Sequence, residues 1–333
     1  MDRRKPQVGM PAKSVGGDQQ GRSSRIRKTP PTIGEGTGRN MLEKQEGEKN
    51  PTMFDITASV VVYKNPLDQV QQVILSFLST QLKVKLYVVD NSPDDGARSL
   101  CIDPRIVYVF NGRNLGFGAG HNIALRLAMN QAAYHAILNP DIYFGPGVLE
   151  ALLDFAQRQS DVGLLMPKIL NPDGSFQYLC KRLPSPTDLV LRRFLPALLE
   201  PFFKDRLARY ELRDQDYTRV LSVPILSGCF MLISSLAVTE VGVFDERYFM
   251  YLEDVDLCRR IHQKFKTIYF PAAAVYHRNA KGSYREAQLL MHHIRSAFRY
   301  FQKWGWYFDP ERDRINQKVM TSAVVQQQTI PEH

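Results

Sequence analysis

Apolar positions along this chain repeat with two periods. Residues 56–63 are a β-branched run that reads as a buried strand. Asn65-Pro66 then opens a helix, with Val70, Val73, Ile74, Phe77 and Leu78 at helical spacing. Residues 84–89 form a second strand ending in Asp90-Asn91-Ser92, and 106–110 form a third. The third runs into the Gly-rich stretch 114–120, followed by a helix through Met129, and 134–138 form a fourth strand ending in Asn139-Pro140-Asp141. This succession predicts an α/β fold, a doubly wound and mainly parallel sheet flanked by helices. Such sheets bind ligands beyond the carboxyl ends of their strands, so Asp90 and Asp141 are where chemistry is expected.

The second half is less regular. The most apolar stretch, 220–238, is interrupted by Pro224, Ser227, Gly228, Ser234 and Ser235 and reads as buried strands, not a membrane span. Leu257, Cys258, Ile261 and Phe265 predict a helix starting near Glu253. Residues 267–270 and 273–276 read as two strands, and 286–302 as a helix after which Trp304 and Trp306 are expected to pack inward. Residues 1–52 are rich in Gly, Lys, Arg, Glu and Gln without aliphatic periodicity, and are expected to be a disordered basic extension. Folding is expected over 53–308, with 309–333 a polar tail or a partner-dependent helix. No internal repeat is visible.

Composition narrows the class. A chain of 333 residues that is 44% hydrophobic can bury one sizeable core. The four cysteines (Cys101, Cys180, Cys229, Cys258) form no CxxC pair, which argues against a zinc cage or disulfide framework and suits a reducing cytosol. With no apolar block of a secretory signal at the N-terminus, a cytoplasmic location is expected. A formal charge of +9 favours an anionic partner, whether nucleotide phosphates, a phospholipid surface or nucleic acid.

Two stretches carry candidate chemistry. Gly116, Gly118 and Gly120 have the spacing of a dinucleotide fingerprint, but that motif follows the first strand of its fold and this one follows the third. A loop that brings phosphates to amides at a helix N-terminus is one alternative, and a tight turn with no ligand is another. Residues 244–260 crowd aromatics against Asp245, Glu246, Glu253, Asp254 and Asp256. Acids in a first helical turn suit the helix dipole, and Asp256 is placed to pair with Arg260. Carboxylates beside apolar walls have raised pKa values, as a general base requires. His277 follows a strand and, alone, would read as structural.

In order, the stretches VVVYKN (60–65), VVDNSPDD (88–95), NLGFGAGHN (114–122), LNPD (138–141), FMYLEDVDLCRR (249–260) and VYHRNAKGS (275–283) resemble family 2 glycosyltransferases of the GT-A fold, in their bacterial rhamnosyltransferase-like branch. The likeness covers roughly residues 55 to 285. It implies a nucleotide-binding half over 53–145 and an acceptor and catalytic half over 146–308. It also implies that Asp90 and Asn91 meet the nucleotide base or ribose, and that Asn114, Gly116, Phe117 and Asn122 form the nucleotide-side loop. Asp141, last of an Asp-X-Asp motif whose first acid is here Asn139, would hold a divalent cation, Mg2+ or Mn2+, together with His277. Asp254 would be the catalytic base, with Glu253 beside it. The implied reaction is an inverting transfer from a nucleotide diphosphate sugar, L-rhamnose on a thymidine carrier or else galactofuranose or a hexose on a uridine carrier. The implied acceptor is a saccharide or polyprenyl-linked saccharide in cell-surface polysaccharide synthesis, such as the lipopolysaccharide O-antigen.

Residues 189–207 mix bulky apolar side chains with Arg192, Arg193, Lys204 and Arg206, a composition suited to peripheral association with the inner face of the cytoplasmic membrane or to a helical excursion packed on the core. A sugar nucleotidyltransferase would carry a Gly-rich, Arg-Lys-containing loop after the first strand, which is missing. A non-catalytic saccharide-binding module would lack the base at 254. No nucleic-acid partner is expected, because no aromatic RNA platform accompanies the basic N-terminus.

Overall fold

The first strand forms where β-branched residues permit burial on both faces. The computed structural model describes residues 53–195, 199–278 and 287–321; the basic extension 1–52, the stretch 279–286 and residues 322–333 lie outside the described residues. In chain order the elements are β1 (Phe54–Val62), α1 (Leu67–Leu78), β2 (Val84–Asp90), β3 (Ile106–Phe110), α2 (Phe117–Leu127), β4 (Ala132–Leu138), β5 (Ile142–Tyr143), α3 (Val148–Gln157) and β6 (Val162–Leu170). Then come α4 (Pro186–Phe194), α5 (Glu200–Tyr210), β7 (Leu221–Ser222), β8 (Phe230–Ser234), α6 (Ser235–Val241), α7 (Glu253–His262), β9 (Lys266–His277), α8 (Ala287–Trp304) and α9 (Pro310–Thr321).

The described strands form one sheet in the order β3-β2-β1-β4-β8-β6-β9-β5, with β7 pairing to β9 off this path. β3, β2, β1 and β4 are parallel, as the alternation of strands and helices predicts. Beyond β4 the sheet is mixed. β8 is antiparallel to β4 and β6, β6 and β9 are parallel, and β5 and β7 are antiparallel to β9. Apolar patterning marks a strand but not its direction, which here depends on the route taken between β6 and β7. The two strands expected at 267–270 and 273–276 are one, β9. Opposite it, Pro167 and Lys168 face Phe270 and Ala274, so the extra residues 271–273 bulge. Pro271, with no amide to donate, falls in that bulge.

One apolar cluster fills the sheet faces. A second joins Leu183, Leu189, Ile225, Tyr248, Leu252, Val255, Tyr300, Phe301 and Ile315, tying α4, α7, α8 and α9 together. The tail expected from 309 therefore begins with a helix packed on the core, in which Arg312, Ile315 and Val319 are buried. Its anchor is polar, which is why apolar periodicity missed it. The Arg259 guanidinium, 1% exposed, donates to both Asp309 carboxylate oxygens at 2.7 and 2.8 Å, with the Trp304 ring 4.2 Å away. Trp304 packs inward as expected and donates to Asp256 Oδ1 at 2.8 Å, while Asp256 Oδ2 accepts from Arg260 at 2.9 Å. Trp306, expected to do the same, follows the end of α8 and stays exposed, with its ring against Phe298 and Phe301.

Removing one member of a buried ion pair leaves the other charge without compensation. Arg259→Ala is expected to destabilise the fold by about 3–5 kcal/mol in urea unfolding, and Asp309→Ala comparably. The double substitution should cost less than the sum of the two.

Candidate active site

Four parallel strands deliver their carboxyl ends to one rim of the sheet. β8, antiparallel, brings its amino end there, with Leu138 opposite Phe230. The Asn139 amide extends this ladder by donating to the Cys229 carbonyl at 2.9 Å. Next to Cys229, the Gly228 amide donates to Asp254 Oδ2 at 3.0 Å. A Cβ on Gly228 would lie 3.3 Å from the Cβ of Asp254, so the small residue permits this approach. Asp141 and Asp254 thus flank the Gly228–Cys229 peptide. Burial, with both carboxylates adding to it against a lowering bond from Ser227, pushes the Cys229 thiol up to about 12.

The acids of α7 differ in what they can do. Asp256 is fully buried and paired with Arg260 and Lys303. Glu253 is 5% exposed, and its Oε2 has no partner among the described residues. Burial first, then the charge of Asp254, pushes its carboxyl well above the usual carboxylate range. Asp254 alone of the three reaches solvent. Its Oδ1 accepts the Val255 amide at 2.8 Å, so both oxygens are oriented by backbone.

β5 and β9 pair Ile142 with His277, and the Arg278 amide donates to the Asp141 carbonyl at 3.1 Å. His277 Nε2 lies 3.4 Å from Asp141 Oδ1, and Asn139 Nδ2 is 3.5 Å from the same nitrogen. Gln177 fixes the ring. Its Nε2 donates to the His277 carbonyl at 2.8 Å and to Asn171 Oδ1 at 2.7 Å, so its Oε1, 3.1 Å from Nδ1, accepts that proton. Nε2 then presents a lone pair towards a carboxylate oxygen. Two acceptors facing each other suit a shared proton or a cation, and an imidazole oriented through its far nitrogen has the donor arrangement of a metal ligand. No group of three or more His, Cys, Asp or Glu fit to hold a metal occurs among the described residues. These two donors fit a hard divalent ion that takes its other ligands from water and phosphate oxygens.

The residues expected to meet the nucleotide separate into two groups. Asn91 is 1% exposed, donates to the Gly116 carbonyl at 3.1 Å and accepts from Asn111 at 2.8 Å. Asn122, fully buried, accepts the Phe244 amide at 3.0 Å and donates to the Phe244 carbonyl and Glu246, both at 2.9 Å. Both amides bind the protein's own loops. Asp90 is buried beneath the rim, accepting from Tyr108 at 2.7 Å and the Ser92 amide at 2.9 Å. Asn114 is partly exposed and caps the Gly116 amide at 3.0 Å. Gly116 has φ of 90°, and a Cβ there would meet the Phe249 carbonyl oxygen at 2.2 Å. The Phe117 amide donates to that same oxygen at 3.1 Å, and the Phe117 ring packs edge-on to His121 and Phe244. The glycine is needed for the approach of residues 249–252.

The model of the family Glycosyl transferase family 2 matches residues 59–240. The chain belongs to glycosyl transferase family 2. It is 31% identical over 278 residues to an N-acetylglucosaminyl-diphospho-decaprenol L-rhamnosyltransferase of Mycobacterium tuberculosis, covering 78% of this chain and 89% of that one. It is 22% identical over 265 residues to the rhamnosyltransferase WbbL of Escherichia coli, covering 77% and 97%. It is 25% identical over 226 residues to the low-salt glycan biosynthesis hexosyltransferase Agl10 of Haloferax volcanii, covering 64% and 67%. Among solved structures, GalNAc-T7 with UDP, GalNAc and Mn2+ superposes with a TM-score of 0.50 at 12% identity, over 68% of this chain and 43% of that longer one. This likeness shows a shared GT-A fold.

In this glycosyltransferase the side chains that orient the site were not visible in the sequence. Gln177 lies outside every motif, and its bond to His277 spans 100 positions. Tyr108 beneath Asp90 sits in an ordinary strand pattern.

Glu253, protonated when folded, ionises in the unfolded chain above about 4.5. Stability is therefore highest below that value and falls as pH rises towards the folded pKa, because the folded state binds the extra proton. Glu253→Gln should remove this slope, so urea unfolding at pH 5 and pH 8 should show a gain over wild type that grows with pH.

Proposed function

We propose that the chain is an inverting, metal-dependent rhamnosyltransferase that transfers L-rhamnose from a thymidine diphosphate carrier to a hydroxyl of a polyprenyl-diphosphate-linked saccharide. The observation that supports it most is that the Asp141–His277 pair and Asp254 flank one peptide, Gly228–Cys229, at the sheet rim. The two rhamnosyltransferases among its relatives favour rhamnose as the sugar, and the lipid diphosphate in the name of one favours the acceptor class.

Asp141 and His277 would hold the divalent ion, Mg2+ or Mn2+, which when bound supplies Lewis-acid neutralisation of the leaving nucleoside diphosphate. Asn114 and the loop around Gly116 and Phe117 would face the nucleotide. Asp90 would form the pocket floor, while Asn91 and Asn122 keep its walls in place. Asp254 takes the proton of the attacking acceptor hydroxyl, with its oxygens oriented by the Gly228 and Val255 amides. Attack from the face opposite the diphosphate inverts the anomeric centre, and one base suffices. Glu253 beside it, its carboxyl pushed upward by burial, favours its protonated form and does not compete for that proton. Peripheral membrane binding through 189–207 belongs to the same reading. α4 and α5 expose Val190, Phe194 and Phe202 beside basic residues, residues 196–198 lie outside the described residues, and no described helix is long and apolar enough to cross a membrane.

Asp254→Asn should lower turnover by about 10² to 10⁴-fold while thymidine diphosphate binding is retained, as read by calorimetry. Near-normal rates in that variant would remove the base from 254. Asp141→Ala and His277→Ala should weaken donor binding and metal dependence together, and undiminished wild-type turnover in excess chelator would end the metal scheme.

A further inference from the structure

Cations gather around the segment that holds Asp254. The chain leaving Gln177 runs through buried Cys180 to Lys181, whose amide donates to the Ile225 carbonyl at 3.1 Å. Ile225 lies three residues before Gly228, whose amide donates to Asp254. Leu183, two residues on, packs in one cluster with Leu189 of α4, Ile225, and the residues on either side of the two acids, Leu252 and Val255. That cluster draws Lys181, the last turn of α4 with Arg192 and Arg193, and the start of α7 together. α8 closes the group, with the His293 ring 5.1 Å from that of Tyr251.

The charges act on one another. Burial, then Arg192, pushes the Lys181 ammonium down to about 8, against the opposite pull of Asp254 and Glu211. Burial, then Arg193, Arg192 and Lys181, holds His293 down to about 4, so the ring is a neutral hydrogen-bonding group. Among the acids here, Glu211 is engaged by Arg192 at 3.3 Å and Arg213 at 2.7 Å, and Asp188 by Arg206 at 2.9 Å. No carboxylate lies within ion-pair distance of the Lys181 ammonium among the described residues. A half-buried cation without a carboxylate, beside a second cation, is costly unless an anion binds there.

We propose that Lys181 and Arg192, with Arg193 and His293 beside them, form a subsite for the diphosphate of a lipid-linked acceptor, placing its sugar hydroxyl against Asp254. The subsite rests on the glycosyltransfer reading above and adds the element that separates a lipid diphosphate from a neutral saccharide. Val190 and Phe194, one turn apart on α4, are exposed next to Arg193, so a prenyl chain leaving the diphosphate meets apolar side chains.

Farnesyl diphosphate serves as the probe, titrated onto the full chain in excess chelator without nucleotide. Lys181→Met and Arg192→Gln should each weaken its binding about tenfold, as loss of a charge-assisted contact does, while Lys181→Arg stays close to wild type. Farnesol should bind far more weakly than farnesyl diphosphate, and phosphatidylglycerol vesicles should not displace the probe. In turnover, the ratio of kcat/KM for farnesyl-diphospho-N-acetylglucosamine to that for octyl N-acetylglucosaminide should fall about tenfold in Lys181→Met. Damage to the base would lower both and leave the ratio unchanged, which overturns the subsite. Equal binding of farnesyl diphosphate by wild type and Lys181→Met, or its full displacement by thymidine diphosphate, also overturns it. Lys181-dependent binding without transfer to any diphosphate-linked sugar would uphold the subsite and refute the acceptor reading on which it rests.

Discussion

The Phe249 carbonyl resting against Gly116 and the Phe117 amide is the contact on which the site depends. It joins the turn after β3 to the approach to α7. The residues that follow, Tyr251 and Leu252, take left-handed φ values of 70° and 65°, which is costly for side chains of this size. The surrounding packing holds them there. Leu252 is buried in the second apolar cluster, and the chain leaves it directly into the first turn of α7. Asp254 is aimed by that turn. Anything that lifted the Phe249 carbonyl from Gly116 would release the whole segment.

Polar side chains in this protein divide by whether their hydrogen-bonding capacity is spent. Asn91, Asn122, Gln177 and Asp256 are buried and saturated, and each fixes a loop, a ring or a helix end. Asp141, His277 and Asp254 are oriented by backbone or by a saturated neighbour, yet each keeps capacity facing the rim. Immobile supports and unspent functional groups together are what preorganisation means here, since nothing must reorganise as charge shifts during transfer. Glu253 belongs to neither class. Its burial beside Asp254 favours the neutral form, which spares the first turn of α7 a second buried negative charge.

The parallel half of the sheet was legible because each of its elements carries its own period, and because parallel strands joined through helices leave one topology. Asp141, Asp254 and His277 were legible as members of ordered motifs. Asn91 and Asn122 belong to the same motifs, but their type and spacing did not reveal that they bind the protein's own loops. The direction of β8, the fusion of two expected strands into β9 and the docking of α9 were hidden for related reasons. Each turns on a partner distant in sequence, and in α9 that partner is the buried charge of Arg259, which apolar patterning does not register.

The sequence alone determined the elements of the parallel half, the rim of the sheet where ligands are expected and the chemical types present there, since period and composition are local properties. Tertiary structure decided which of those groups face one another and in what state. Tautomer, protonation and spare hydrogen-bonding capacity depend on neighbours such as Gln177 for His277, Gly228 for Asp254 and Arg192 for Lys181. Folding brings such neighbours within a few ångströms, and their separation along the chain carries no trace of it.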